Sequence, residues 1–312
     1  MQIELESSRE LKPVSEAIAA FPGTEIKDEP VTPHYQAWGY TIGYLVDSEG
    51  RNLPKGSNTA FFRIAPGGMT EPVYVTKPEV GSIFTIKAMR GFGRAIITRA
   101  NGDYEESNLT DGPVVINPGD SYSYVNDGSD DLVLHDLATP EFKEGDDADL
   151  TVSAYPAPHG NPIPQKDHSC IVLETKDGPK VIELPDKFWN TLGRASSGKK
   201  TVQQLESQAV PSFERKGFTG RIFVDKTEKR GFNAMQIDVD GSHPEKEIKA
   251  GNTRVYYVVD GTGFFKLNGQ ERKVKDGDYI EISEGGRYSY RGKMRLFEVN
   301  ISPDNTFGDS LV

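Results

Sequence analysis

The chain of 312 residues has one cysteine, Cys170, and only five histidines: His34, His135, His159, His168 and His243. A single cysteine excludes an internal disulfide and a thiolate-rich metal site, and it suits a reducing compartment. His168 stands two residues from Cys170, a spacing at which side chains do not normally aim at each other, so a Cys–His nucleophile is set aside. No apolar run approaches the roughly 18–20 residues of a membrane-crossing helix, and no membrane partner is expected. The first residues, Met1-Gln2-Ile3-Glu4-Leu5-Glu6, hold neither a basic nor an apolar stretch, so nothing resembles a secretion signal and a cytoplasmic location is the expectation. Positive charge is also scarce: 36 Lys and Arg against 47 Asp and Glu leave a net charge of −11. Phosphate contacts need clustered cations, so nucleic acid is not an expected partner. Helical periodicity is confined to 14–21, 186–192 and 201–208.

What the chain has in quantity is turn chemistry, with 32 Gly and 20 Pro. Between the turns lie short alternating runs such as Thr59-Ala60-Phe61-Phe62-Arg63-Ile64 and Val255-Tyr256-Tyr257-Val258-Val259, the pattern of an all-β protein with few short helices. The length suits two domains, and the chain repeats itself. Gly39-Tyr40-Thr41-Ile42-Gly43-Tyr44-Leu45-Val46-Asp47 matches Gly217-Phe218-Thr219-Gly220-Arg221-Ile222-Phe223-Val224-Asp225. Arg90-Gly91-Phe92-Gly93 matches Asp260-Gly261-Thr262-Gly263, and Tyr122-Ser123-Tyr124 matches Tyr288-Ser289-Tyr290, in the same order. Ordered repeats of this kind reveal architecture before any local pattern does. They divide the chain into an N-terminal arm with a short helix (1–31), a first barrel (32–142), a linker (143–210) and a second barrel (211–312). The linker shows strand patterns at 171–173 and 181–184 and is expected to pack on the barrels.

The second repeat also carries a glycine frame. Gly241 is followed by five residues, Glu247-x-Lys249, four residues, Arg254, six residues and Gly261; then comes Gly277, five residues, Ser283-x-Gly285, two residues, Tyr288, three residues and Gly292. In the first repeat the same frame reads Gly68, Tyr74-x-Thr76, Phe84, Gly91, followed by Gly112, Pro118-Gly119, Tyr122, Asn126. This double frame resembles the two motifs of the cupin superfamily, Gly-x5-His-x-His-x3–4-Glu-x6-Gly and Gly-x5-Pro-x-Gly-x2-His-x3-Asn. The resemblance covers about two-thirds of the chain and implies two tandem jelly-roll barrels, each a double-stranded β-helix: a bicupin. Glycine at such turns permits positive φ and close backbone approach.

In metal-bearing cupins the three His and one Glu of these motifs converge on a metal ion. Here the corresponding sets are Glu247, Lys249, Arg254 and Tyr288 in the second repeat, and Tyr74, Thr76, Phe84 and Tyr122 in the first. Lys and Arg bring positive charge to a cation's place, so no metal and no cofactor are expected. His243 lies four residues before the first ligand position and reads as structural ahead of functional, as does His135; a metal held by His243 with Glu245 or Glu247 ranks last among the site readings.

Strand alternation puts Arg254 and Tyr256 on one face, and Tyr288 and Tyr290 on another. With Glu247 and Lys249 these are the expected ligand-binding residues, lining a polar cavity suited to a small anionic or carbohydrate-like molecule. The leading expectation is therefore a metal-free small-molecule-binding bicupin. The alternatives are a metal-independent isomerase, epimerase or lyase with Tyr288 as acid and Lys249 or Glu247 as base, and a structural bicupin like those of seed storage. Metal-dependent decarboxylase or dioxygenase chemistry comes last. The tandem barrels leave two assemblies open, a homodimer or a monomer whose barrels form the pair.

Overall fold

A computed structural model of the protein describes residues 10–18, 23–70, 73–75, 82–101, 103–110, 113–141, 147–149, 170–175, 178–183, 212–215, 217–302 and 304–311. The chain divides into two compact units. One runs from Met1 to Leu205 without Leu53–Asn58 and Thr139–Glu141; those two segments go with the other, Glu206–Val312.

The first unit is built from β1 (Thr24–Asp28), β2 (Tyr40–Asp47), β3 (Asn58–Ile64), β4 (Val73–Val75), β5 (Ser82–Arg90), β6 (Gly93–Thr98), β7 (Tyr104–Asn108), β8 (Val114–Ile116), β9 (Ser121–Asn126), β10 (Leu132–Thr139) and β11 (Asp147–Asp149). They form a six-stranded sheet ordered β1-β2-β3-β10-β5-β8 and a five-stranded sheet ordered β11-β4-β9-β6-β7. Strands β6, β9 and β10 are buried at every position, as expected of strands covered on both faces. Among the core residues are Trp38, Met69, Ile96, Tyr124 and Leu134.

Among the described residues helix is sparse, as the sequence suggests. The helical pattern at 14–21 yields only a 3-10 turn, Val14–Glu16, before the described residues break off at 18. The Asp28 carboxylate accepts hydrogen bonds from the Val14 and Ser15 amides and from the Ser15 hydroxyl, tying this turn to β1. A helix without an apolar period long enough to detect, α1 (Pro33–Trp38), starts on a Thr32 cap and stops at Gly39, whose φ is 84°. The helical patterns at 186–192 and 201–208 lie outside the described residues. A two-stranded antiparallel hairpin, β12 (Cys170–Thr175) with β13 (Gly178–Glu183), stands by itself in the pairing scheme.

The second unit is a nine-stranded antiparallel sheet of β14 (Ser212–Arg215), β15 (Phe218–Val224), β16 (Phe232–Ser242), β17 (Lys246–Ile248), β18 (Thr253–Leu267), β19 (Gln270–Lys275), β20 (Tyr279–Ile282), β21 (Arg287–Ile301) and β22 (Asp309–Leu311). Its spine is the pairing of the two long strands, β18 and β21, from Thr253↔Ile301 to Leu267↔Tyr288, with an irregularity between Val258 and Asp260. On its other edge β21 pairs β16 from Phe232↔Ile301 to Ser242↔Arg291. The inward residues of these strands, including Ile237, Val258, Phe265, Ile280 and Leu296, form the core.

Candidate functional site

Along β18 the alternation turns Arg254, Tyr256 and Val258 inward, and along β21 it turns in Tyr288, Tyr290, Met294, Leu296, Glu298 and Asn300. The register sets Arg254 opposite Asn300 and Tyr256 opposite Glu298, so a guanidinium and a carboxylate meet inside the barrel. Arg254 is 8% exposed. Its Nη1 donates to the Tyr288 hydroxyl, its Nε donates to Asn300 Oδ1, and Glu298 Oε1 lies 3.5 Å from Nε. The Asn300 amide donates in turn to Glu298 Oε1 (2.9 Å) and to Asn233 Oδ1 (3.0 Å), which fixes its oxygen towards the arginine.

Rings close over this network. Tyr256 packs against Phe265, Tyr288 and Tyr290 with centroids 5.3, 6.0 and 5.5 Å away, and the His243 ring stacks on Tyr290 at 4.4 Å and on Tyr288 at 5.5 Å. His243 is thereby part of the aromatic stack, with its backbone amide donating to the Tyr290 carbonyl. Burial, followed by the charge of Glu298, pushes the Tyr256 and Tyr290 phenols well above their ordinary range, so both stay neutral. The Tyr256 hydroxyl is buried and has no hydrogen-bond partner among the described residues, with the Tyr290 phenol its close neighbour.

Four of the six predicted site residues, Arg254, Tyr256, Tyr288 and Tyr290, thus come together. Glu247 and Lys249 do not join them. In β17 it is the intervening Ile248 that is buried, so its neighbours turn outward. Glu247 sits opposite Arg287 and pairs with it at 2.9 Å, half-exposed, while Lys249 is exposed. None of the four lines either of the two clefts described in this unit. Tyr256 and Tyr288 are fully buried, and these two open clefts lie elsewhere. One of about 770 Å³ is bordered by Asp238, Asp240, Asp260, Thr262, Lys293 and Arg295, and one of about 450 Å³ by Asn268, Glu281, Ser283 and Arg287.

The centre also fails to suit a metal ion. Among the described residues no three His, Cys, Asp or Glu side chains come together in a metal-holding arrangement. At the centre itself a guanidinium already engages the oxygens that a cation would need, and the two charged residues at the first motif's His positions face outward.

In the first barrel the Tyr74 side chain and Thr76 lie outside the described residues, whereas Phe84 and Tyr122 are core residues. Its polar centre is Asp136 on β10, buried beside Tyr124. The Thr85 hydroxyl donates to the Tyr124 oxygen and the Tyr124 hydroxyl to Asp136 Oδ2, each at 2.7 Å, while Asp136 Oδ1 has no hydrogen-bond partner among the described residues. Burial pushes this carboxyl up to about 7, against the hydrogen bonds of Tyr124 and Thr85. The adjacent His135 points to the other face of β10, where its ring stacks on Phe61 at 4.8 Å and burial pushes its imidazole down to about 3.

Sequence reasoning missed Glu298, Asn300, Asn233 and Asp136. For two of them a signal existed: alternation continued from Tyr288 and Tyr290 along β21 arrives at Glu298 and Asn300 on the same face. Asn233 and Asp136 lie outside both motifs and carried no such signal.

No protein-family model matches the chain, and no curated protein matches it. Solved structures do. A vicilin from Capsicum annuum aligns with TM-score 0.51 at 12% identity, over 94% of this chain and 89% of its own. The coconut allergen cocosin aligns with TM-score 0.51 at 11% identity, over 92% and 86%. A mutant oxalate decarboxylase from Bacillus subtilis aligns with TM-score 0.50 at 14% identity, over 94% and 78%. All three are two-barrel proteins of the bicupin type, and at these identities the likeness is one of fold.

Proposed function

We propose that this chain, which has the two-barrel fold of the bicupins, is a metal-independent bicupin of the structural kind, with its C-terminal barrel centre given over to internal bonding rather than to substrate chemistry. One observation carries the reading. Arg254, held by Tyr288, Asn300 and Glu298 beneath the rings of Tyr256 and Tyr290, fills the centre with the protein's own side chains. Acid–base catalysis by Tyr288 with Glu247 or Lys249 gains no support, because the two proposed bases face outward. The likeness to vicilin and cocosin in fold is compatible with a structural role and does not by itself assign one.

Binding of a small hydroxylated or anionic molecule in this barrel is the second reading, and the Tyr256 hydroxyl favours it, since a buried hydroxyl without a good partner is where a ligand group gains most. One pair of measurements separates the readings. Metal analysis of the purified protein is expected to give no stoichiometric iron, manganese or zinc. Thermal melts against sugars, sugar phosphates and carboxylates, run on the wild type and on Tyr256→Phe, are expected to show no ligand-dependent rise in Tm for either. Stoichiometric metal overturns metal independence; a ligand that stabilises the wild type and not the variant overturns the structural reading.

A further inference from the structure

We propose that Arg254 is the built-in cation of the C-terminal barrel, its guanidinium standing where the resembling motif places a metal site, with Tyr288, Asn300 and Glu298 as its oxygen ligands. The inference deepens the metal-independent reading above and rests on it. Arg254 occupies the place of the motif's glutamate, and from there it engages three oxygens of three chemical kinds: a phenol, an amide and a carboxylate. The amide is held in the accepting orientation by Asn233 and Glu298, so the set is organised around a positive charge. A planar cation with several fixed donors suits such oxygens better than a lysine would.

The requirement for a cation comes from the carboxylate. Glu298 is 5% exposed, and a carboxylate that deep must be paired, hydrogen-bonded or protonated. The first barrel offers a comparison. Gly91 abuts Asp131 and Leu132 at the start of its closing strand, as Gly261 abuts Lys293 and Met294 in the second barrel. Counting on from these anchors puts Asp136 where the second barrel has Glu298. No arginine reaches Asp136 in any described contact, and the groups facing it are the neutral hydroxyls of Tyr124 and Thr85. The same inward position thus holds an acid in both barrels, and one of the two supplies it with a guanidinium.

If the oxygens are a cation site, emptying it must create a site for a free cation of the same shape. Arg254→Ala is expected to lower Tm by about 10 °C. Methylguanidinium is expected to restore a large part of that loss without affecting the wild type, whereas methylammonium and sodium at equal ionic strength restore little. The double variant Arg254→Ala with Glu298→Gln, in which the buried charge is gone, is expected to melt above Arg254→Ala alone and not to respond to methylguanidinium. Equal rescue by methylammonium or sodium, or no rescue at all, overturns the assignment. So does rescue by zinc or manganese in preference to methylguanidinium, which would instead reveal a metal site in the oxygen set. Should Arg254→Ala fail to fold, the double variant decides: a folded double variant supports the charge argument, and a double variant that also fails to fold overturns it. Metal content of the wild type is read separately, so a failure of the metal-independent reading is distinguishable from a failure of the guanidinium assignment.

Discussion

His135 and Asp136 are neighbours on β10, face opposite ways, and are both pushed by burial towards their neutral forms. Their effects on stability have opposite signs. The imidazole falls from 6.5 to about 3 on folding, so the stability it contributes is complete above pH 6.5 and is lost as pH falls towards 3. The carboxyl rises from 3.8 to about 7, so the stability it contributes is complete below pH 3.8 and is lost as pH rises towards 7. Between about pH 4 and 6.5 the two slopes cancel, and the pair conceals a titration that neither residue conceals alone. In His135→Gln the first unit should therefore lose stability with rising pH across this window, by at most about 1.4 kcal/mol per pH unit. Urea titrations at closely spaced pH values measure this, and a flat profile in the variant would show that Asp136 does not carry the buried titration. Asp136→Asn should tilt the profile the other way, with stability rising from pH 4 to 6.5.

Turns and strands show why the glycine frame was readable while the direction of a short strand was not. Gly91 and Gly261, which the sequence repeat sets in register, have φ of 81° and 86°, and a Cβ at either would lie 2.6 or 2.5 Å from the carbonyl oxygen of Asp131 or Lys293. Both the dihedral and the packing demand glycine, so the repeat reports the fold even where every metal ligand has gone. Gly269 separates the two demands: its φ is also 86°, but nothing lies within 4 Å of a Cβ there. Gly261→Ala should cost about 2–4 kcal/mol and Gly269→Ala about 1–2, compared by their urea midpoints; equal losses would remove the close-approach argument. In β17 the frame led to the right positions and to the wrong face. Motif spacing set Glu247 and Lys249 at ligand places, yet the isoleucine between them is the residue with reason to be buried, and in an alternating strand it sends both charges out. Arg254 and the tyrosines were legible because they lie on long strands whose inward face is fixed by many apolar neighbours at once. Helix α1 was not, since six residues are too few to show a period.

At the scale of the molecule the repeat poses one physical problem twice, an acid facing inward from the closing strand of a barrel, and the two units answer it differently. Asp136 has a phenol and a nearby hydroxyl and keeps its proton to about pH 7; Glu298 has Arg254 and Asn300. Removing the charge must then have opposite consequences at equivalent positions. At pH 8 the ionised Asp136 is buried without a counter-charge, so Asp136→Asn should raise the stability of the first unit by about 1–3 kcal/mol. Glu298→Gln instead strands a buried guanidinium and should destabilise the second unit by about 3–5 kcal/mol. The first effect should be smaller at pH 5, where only the unfolded chain's carboxylate is ionised, than at pH 8, where the folded protein's is ionised as well, whereas the loss from Glu298→Gln should appear at both. Thermal melts of both variants at pH 5 and pH 8 test the argument with four numbers. Loss of stability in Asp136→Asn at both pH values would mean that the carboxyl is wanted for its shape and hydrogen bond, and the two barrels would then share a fold without sharing the charge problem.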